Sequence, residues 1–466
     1  MLTRIEVNGF KNLFDIAVDF GPYTCIAGPN ALGKSNLFDA IEFLSLIMDY
    51  PFMEAAQQIR SAGSRMGDPR TLFWVGGVEP PPLMTIAAEM IVTGVVHDDF
   101  GQEAKATSTF LRYELTLEYA PPTDAGPIQM GAIRLVREDL NYITQSKAAT
   151  RIRWKNNATK FRQRVITNDR KGTGYISTGG DGAFQVHQDG GSRGQPRRSA
   201  VAPRTVLSTI NTSDDPTALA ARREMQQWRN LALEPSAMRA PDSVMGTSAI
   251  GSDGSHLAAA LFRMADQGKQ LDVYAGVAAT ASALVDVRDV GVDFDPKRDL
   301  LTLEAQIGNG PLLPSRVLSD GTMRFLALSV IEADPAFGGV ICMEEPENGI
   351  HPAKIESMVT LLRDLAVDPQ EEPGTDNPLR QVIVNTHSPR FVVFQHDDDM
   401  LLAVPRSVVI EGETRQTIKF APLWDTWRAD ASGEGVSKGL IGDYLTAPDD
   451  APMMLDFPGR ELGEID

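Results

Sequence analysis

The chain has 466 residues and a mass of 50.7 kDa, with 42% hydrophobic and 23% charged residues, an ordinary globular composition that excludes disordered, collagen-like and coiled-coil-only architectures. Acids outnumber bases 62 to 44, for a net charge of -18, which excludes nucleic-acid binding over the whole surface and leaves room only for a local basic patch. Cys25 and Cys342 are the only cysteines and lie in apolar runs, so they read as buried thiols in a reducing compartment. With no leader pattern at the start and no apolar run of about 18 residues, the expectation is a cytoplasmic chain without a membrane span.

Alternation at Leu2, Ile5 and Val7, and again at Ile16, Val18 and Phe20, predicts two strands. The apolar run Tyr23–Ala27 predicts a third, ending at Gly28. A helix is predicted over 34–48, with a core-facing stripe through Leu37, Phe38, Ile41, Leu44 and Ile47. Strands are expected over 84–92, 109–119 and 130–140, in an antiparallel sheet buried on one face. Residues 172–194 hold eight glycines and predict a loop. Asp215-Pro216 reads as an N-cap with proline at the first helical position, and Ser255 as a cap for a helix carrying Leu257, Leu261 and Met264. A hairpin is predicted around 295–299, then helices alternating with apolar strands over 317–404, the pattern of a parallel α/β sheet. The last 35 or so residues are acidic and rich in Gly, Pro and Asp, so a loose tail is expected.

Between the third strand and the first helix, Gly28-Pro29-Asn30-Ala31-Leu32-Gly33-Lys34-Ser35 satisfies G-x-x-x-x-G-K-[ST], followed by Asn36. The glycines let the loop wrap so that backbone N–H groups point at phosphates. Lys34 reaches the β/γ oxygens, Ser35 supplies a hydroxyl to Mg²⁺, and the helix directs its positive end at the anion. The strand–loop–helix context is what this mechanism requires.

A second apolar strand, 339–343, ends in Glu344-Glu345-Pro346-Glu347. Two adjacent carboxylates beside a nucleotide divide the labour: Glu344 to hold Mg²⁺ through water, Glu345 to polarise the attacking water. A third, 381–385, leads to Thr386-His387, which places His387 at a strand's carboxyl end, where it can meet a γ-phosphate. Leu318-Ser319-Asp320-Gly321-Thr322 precedes another helix and forms a second anion nest through Ser319 and Gly321. A self-contained P-loop site has no use for it, which suggests a nucleotide shared between two subunits.

Together these pieces resemble the ABC-type ATPases of the RecF/SMC/OLD group, in the form of the stand-alone bacterial AAA family ATPases without a long coiled coil. The motifs that carry the resemblance are 28–35 (Walker A), 318–322 (signature), 340–345 (Walker B), 347–352 (D-loop region) and Thr386-His387 (H-loop), with 253–257 matching the family's segment before the signature. Ala31 departs from the family's usual glycine, Glu344 from its usual aspartate, and Asp320 and Thr322 from transporter-type residues. Gln57 and Gln58 are weak candidates for the Q-loop glutamine. The resemblance implies an α/β fold: an ABC-ATPase head with a P-loop parallel sheet, an antiparallel β subdomain, and a helical lobe inserted between Walker A and signature. It implies a head formed by 1–143 and 246–430, with a basic, Gly-rich insertion and helical lobe over 144–245 and an acidic tail over 431–466. It further implies ATP and Mg²⁺ as cofactors, ATP-driven homodimerisation or a higher oligomer of dimers, and slow hydrolysis coupled to DNA or to a nuclease.

Residues 147–204 hold thirteen Lys/Arg and three Asp, with Trp154, Phe161 and Tyr175 interleaved. That mixture suits DNA or RNA through phosphate contact and base stacking, suits an acidic protein partner, and equally suits a solvated insertion. Only 79 residues follow His387, too few for an appended nuclease domain of the TOPRIM kind, and His396-Asp-Asp-Asp399 reads as a turn, so any nuclease is expected to be a separate effector chain. Three functions stay open: an ATPase controlling an effector in antiphage defence, a RecF-like repair or maintenance ATPase acting on DNA, and a nucleotide-gated scaffold.

Overall fold

A computed structural model of the chain describes residues 1–59, 68–74, 83–120, 131–155, 157–190, 197–198, 202–267, 270–410, 413–437 and 439–442. Of the acidic tail expected over 431–466, residues 443–466 therefore lie outside the described residues, as do 191–194 of the glycine-rich segment. The chain forms two compact units, Met1–Trp228 with Asp397–Asp466, and Arg229–His396.

The first unit opens with strands β1 (Leu2–Asn8), β2 (Ile16–Asp19) and β3 (Tyr23–Ala27), then helices α1 (Lys34–Leu46) and α2 (Phe52–Gln58). β4 (Leu83–Ile91), the small hairpin β5 (Val95–His97) and β6 (Glu103–Lys105), β7 (Phe110–Ala120) and β8 (Ala132–Tyr142) follow. Helices α3 (Gln145–Arg151) and α4 (Ala158–Val165) lead to short strands β9 (Ile176–Thr178), β10 (Ala183–Val186) and β11 (Arg197–Arg198), and then to α5 (Pro216–Gln226). Eight of these strands form one antiparallel sheet in the order β11-β10-β9-β8-β7-β4-β1-β2. Along β7 the alternating Leu111, Tyr113, Leu115 and Leu117 are buried, so one face carries the core. The opposite face is knitted by ion pairs from Asp19 to Arg4 (2.9 Å), Arg4 to Glu6 (2.7 Å) and Glu6 to Arg112 (2.6 Å).

The glycine-rich loop expectation is corrected over 176–186. Ile176, Phe184 and Val186 alternate and are buried, which is enough to add two strands to the sheet despite the flanking glycines.

The second unit contains β12 (Arg229–Asn230), α6 (Pro235–Arg239), α7 (Leu257–Gln267) and α8 (Gln270–Ser282). A three-stranded meander follows, β13 (Val287–Asp295), β14 (Leu300–Ile307) and β15 (Leu312–Pro314), with the expected hairpin joining the first two. Then come α9 (Asp320–Ala333), β16 (Gly339–Glu344), α10 (Ile355–Asp364), β17 (Arg380–Thr386) and α11 (Pro389–Val393). β12, β16 and β17 run parallel, and β17 is buried along its whole length, as strands covered on both faces are. The buried guanidinium of Arg380 on β17 closes the C-terminal end of α9. It donates to the carbonyls of Phe337 (2.7 Å), Asp334 (2.8 Å) and Glu332 (3.4 Å).

The cap of α7 is also corrected. Ser255 does not cap it; Asp242, from a distant segment, accepts from Ala259 N (3.1 Å) and from His256 Nδ1 (2.8 Å).

The chain then returns to the first unit with β18 (Met400–Ile410), β19 (Glu413–Pro422) and α12 (Trp427–Ser432). β18 lies parallel to β3, with Met400, Leu401 and Leu402 opposite Cys25, Ile26 and Ala27, and antiparallel to β19.

Candidate nucleotide-binding site

β3 delivers Gly28 against β18. A Cβ at Gly28 would stand 2.8 Å from the Ala403 carbonyl oxygen, so only glycine fits there. The loop turns through left-handed backbone at Ala31 (φ 64°) and Gly33 (φ 93°). Alanine pays about 1–2 kcal/mol for that conformation, so Ala31 is a strained substitute for the family's glycine. At Gly33 a side chain would also meet Asn12 Nδ2 at 2.3 Å. Lys34, only 6% exposed, folds its ammonium across the loop onto the carbonyls of Gly28 (2.6 Å) and Pro29 (2.8 Å). No side chain caps α1, so its positive end faces the loop. Ser35 and Asn36 are half-buried in the first turn.

A buttress behind the loop escaped the sequence reading. Asn12 donates to Leu32 O (2.8 Å) and accepts from Asn36 Nδ2 (2.7 Å), while Lys11 pairs with the fully buried Asp39 of α1 (2.6 Å). The available signal was the polar pair Lys11-Asn12 interrupting apolar Phe10 and Leu13. A glycine cradle, an inward ammonium and a helix N-terminus are a donor set that fits nucleotide phosphates.

The second unit brings the carboxylates and the histidine together. β16 ends at the exposed Glu344, and Glu345 follows with φ 45°, a left-handed backbone held by its N–H bond to Asn385 O (2.9 Å). Both Glu345 carboxylate oxygens are bonded: Oε1 to His387 Nδ1 (2.7 Å), and Oε2 to Asn348 Nδ2 (2.6 Å). With a neutral imidazole, this makes Nδ1 the protonated nitrogen and leaves Nε2 an acceptor. Beneath them Glu347 is buried, and burial raises its carboxyl above the ordinary range while a hydrogen bond from the Thr386 hydroxyl opposes the rise. A carboxylate fixed on both oxygens at a strand end can orient water or accept its proton.

Ser319 and Gly321 start α9. Ser319 is its N-cap, its Oγ accepting from Thr322 N (3.2 Å), and the side chain is exposed. Arg239 holds the loop through Leu318 O (2.8 Å) and the Asp320 carboxylate. One turn on, Arg324 donates to Asn348 O, so the Ser319 helix and Glu345 are linked through Asn348. Asn348 falls in the segment read as the D-loop region, while Arg324 had no assigned role in the sequence reading. Gln57 and Gln58 end α2 in the first unit.

The aromatic residues of the basic segment are not available to bases. Phe161 and Tyr175 are fully buried and Trp154 is 7% exposed, with Trp154 and Phe161 ring centroids 5.1 Å apart. Arg170 is also buried, its guanidinium spent on the carbonyls of Thr173, Gly174 and Gln188. Stacking by these rings is therefore corrected; Lys147, Arg151, Arg153, Lys155, Lys160 and Arg164 remain at the surface. Among the described residues no group of three or more His, Cys, Asp or Glu is placed to hold a metal ion, and no helix is long and apolar enough to cross a membrane. Residues 397–399 form the expected turn.

The order of the motifs along the chain is that of an ABC-type P-loop ATPase. The family model described as "AAA domain, putative AbiEii toxin, Type IV TA system" matches residues 153–393, and the chain belongs to that family. A segment is similar to the DNA replication and repair protein RecF of Lactococcus lactis subsp. cremoris (strain MG1363), 38% identical over 66 residues, which spans 14% of this chain and 18% of that protein. Among solved structures, the chain is similar to an SmcHead bound to the C-winged helix domain of ScpA, with 14% identity, TM-score 0.46, and coverage of 90% of this chain and 97% of that one. It is also similar to the SMC head domain from Thermotoga maritima, with 12% identity, TM-score 0.37, and coverage of 91% and 98%.

Proposed function

We propose that the chain binds ATP and hydrolyses it in a homodimer, or a higher oligomer of dimers, in which each site draws on both subunits. Gly28, Pro29, Asn30, Gly33, Lys34, Ser35 and Asn36 hold the phosphates. Ser35 and Glu344 are the residues that would hold Mg²⁺, whose charge offsets that of the phosphates. Glu345 orients and deprotonates the attacking water, and His387 fixes Glu345 and meets the γ-phosphate. Ser319 and Gly321 grasp the nucleotide of the opposite subunit. The observation that carries this reading is the Glu345 carboxylate, held on one oxygen by His387 and on the other by Asn348.

Nucleotide state is coupled to a DNA-directed process or to a separate nuclease effector in antiphage defence; the family description names a putative toxin of a type IV toxin–antitoxin system. The RecF segment favours a second reading, a repair ATPase acting directly on DNA. Nucleic acid is contacted through the exposed cations of 147–204.

Mixed dimers test the composite site. Lys34→Ala and Ser319→Arg should each abolish turnover alone. Mixed at equal amounts, random pairing puts both lesions in one site of half the dimers, so roughly a quarter of wild-type turnover should return. Normal hydrolysis by Ser319→Arg would refute the shared site.

A further inference from the structure

A cleft of about 530 Å³ in the first unit has no part in the reaction above. It opens between two strand edges: among the described residues β2 pairs only with β1, and β19 only with β18. Five cations from five elements converge on it, Arg4 of β1, Arg151 of α3, Arg406 of β18, Lys419 of β19 and Arg428 of α12. Three acids oppose them, Asp15, Asp19 and Glu434. The cleft is thus locally positive in a chain of net charge -18.

Arg428 forms part of its wall and is 3% exposed. Its hydrogen bonds go to Asp19 O (2.8 Å), Thr24 Oγ1 (2.8 Å) and the Asp398 carbonyl, and the charges of Asp399, Asp19 and Asp398 act on it. Burial lowers its pKa to about 10 against the opposing pull of those carboxylates, so the fold bears the cost of a deeply buried cation at this position. At the rim, Arg406 lies 3.5 Å from Asp15 and Lys419 2.5 Å from Glu434, with Asp15 67% and Glu434 59% exposed. Exposed pairs of this kind contribute little, and a more highly charged anion can replace them.

The geometry points to a phosphate-binding cleft between β2 and β19, which takes the phosphodiester backbone of a nucleic-acid strand or the phosphates of a free nucleotide. Arg151 brings the basic segment to its rim, and Lys155 continues it through Asp425 O (2.5 Å) and Asp398 (3.3 Å). Arg151, which also pairs with Glu89 (3.2 Å), is therefore the basic segment's contribution to a site that four other elements complete. With the neighbouring aromatic rings buried, recognition runs through phosphate and is indifferent to base sequence.

The test uses the full chain without ATP and a fluorescent single-stranded oligonucleotide, with anisotropy read between about 50 and 200 mM salt. The Arg406→Ala/Lys419→Ala variant should bind at least about tenfold more weakly, with a salt slope shallower by about 1.4. Asp15→Ala/Glu434→Ala, which frees the same two cations, should bind about threefold or more tightly. ATP turnover without nucleic acid should be unchanged in both variants, which also reports intact folding. Displacement of the strand by inorganic pyrophosphate identifies a free nucleotide as the natural source; resistance to it identifies a strand. Unchanged affinity and slope in Arg406→Ala/Lys419→Ala would overturn the site, most directly if Lys147→Ala/Arg153→Ala/Lys160→Ala abolished binding instead. So would capture of polyglutamate by a cleft that ignores both phosphate probes.

Discussion

Replacing Glu345 by glutamine separates its charge from its shape. The native carboxylate takes one hydrogen bond on each oxygen, from His387 at 2.7 Å and Asn348 at 2.6 Å, in a side chain 29% exposed. Glutamine keeps the volume and one acceptor, so the fold loses about one partly solvated hydrogen bond, roughly 1 kcal/mol. That does not unfold a chain of this size. Loss of a positioned base costs about 10²–10⁴ in rate, or roughly 3–5 kcal/mol of barrier. The P-loop residues are untouched, so ATP affinity should stay near wild type. Asn348→Ala removes only the Oε2 bond, and about 1 kcal/mol of positioning predicts a roughly fivefold fall in kcat with KM unchanged. The two should not multiply: with the base gone, Asn348 has nothing left to orient, and the double variant should match Glu345→Gln alone. Phosphate release and equilibrium nucleotide binding, measured on all four proteins, decide the matter. Turnover of Glu345→Gln within about threefold of wild type, or fully multiplicative losses, would refute the reasoning.

Gly33→Ala should abolish nucleotide binding while leaving the melting temperature nearly unchanged, because φ 93° and the Asn12 contact force the loop to move; retained binding by calorimetry would show the loop more tolerant than this. Glu138, fully buried, has its pKa raised to about 7 by burial, against hydrogen bonds from Leu207 N (2.8 Å), Val206 N (2.6 Å) and Tyr113 OH (3.1 Å). Between an unfolded value near 4.5 and that folded value, the native state holds a proton that the unfolded chain has released. Its contribution, up to roughly 3 kcal/mol, is therefore complete below the unfolded pKa and lost as pH rises through 7. Urea midpoints from pH 5 to 8 should fall less in Glu138→Gln than in wild type, and parallel curves would count against it.

The elements nearest the phosphate loop were legible because local chemistry dictates them. A buried strand, glycines at fixed spacing and a lysine opening a helix leave little freedom, and β3, the loop and α1 fall where that pattern sets them. The 295–299 hairpin and the start of α5 at Pro216 follow from equally local turn and proline rules. What eluded the sequence is long-range. Asp242 caps α7, Asn12 supports the phosphate loop, and Arg380 closes α9, each from a segment its own neighbourhood does not announce. The rings of Trp154, Phe161 and Tyr175 misled because a hydrophobic anchor and a stacking platform share one composition and differ only in burial.

The pairing of β3 with β18 sets a timetable for the newly made chain. Roughly 375 residues separate Cys25 from its partner Met400. At about 5–20 residues per second, the strand that carries the phosphate loop waits some 20–75 s for its neighbour to be synthesised. Until then Gly28 has no Ala403 to close against, and the loop lacks one of its walls. A newly made chain therefore cannot close this side of the phosphate loop until synthesis has passed Ala403.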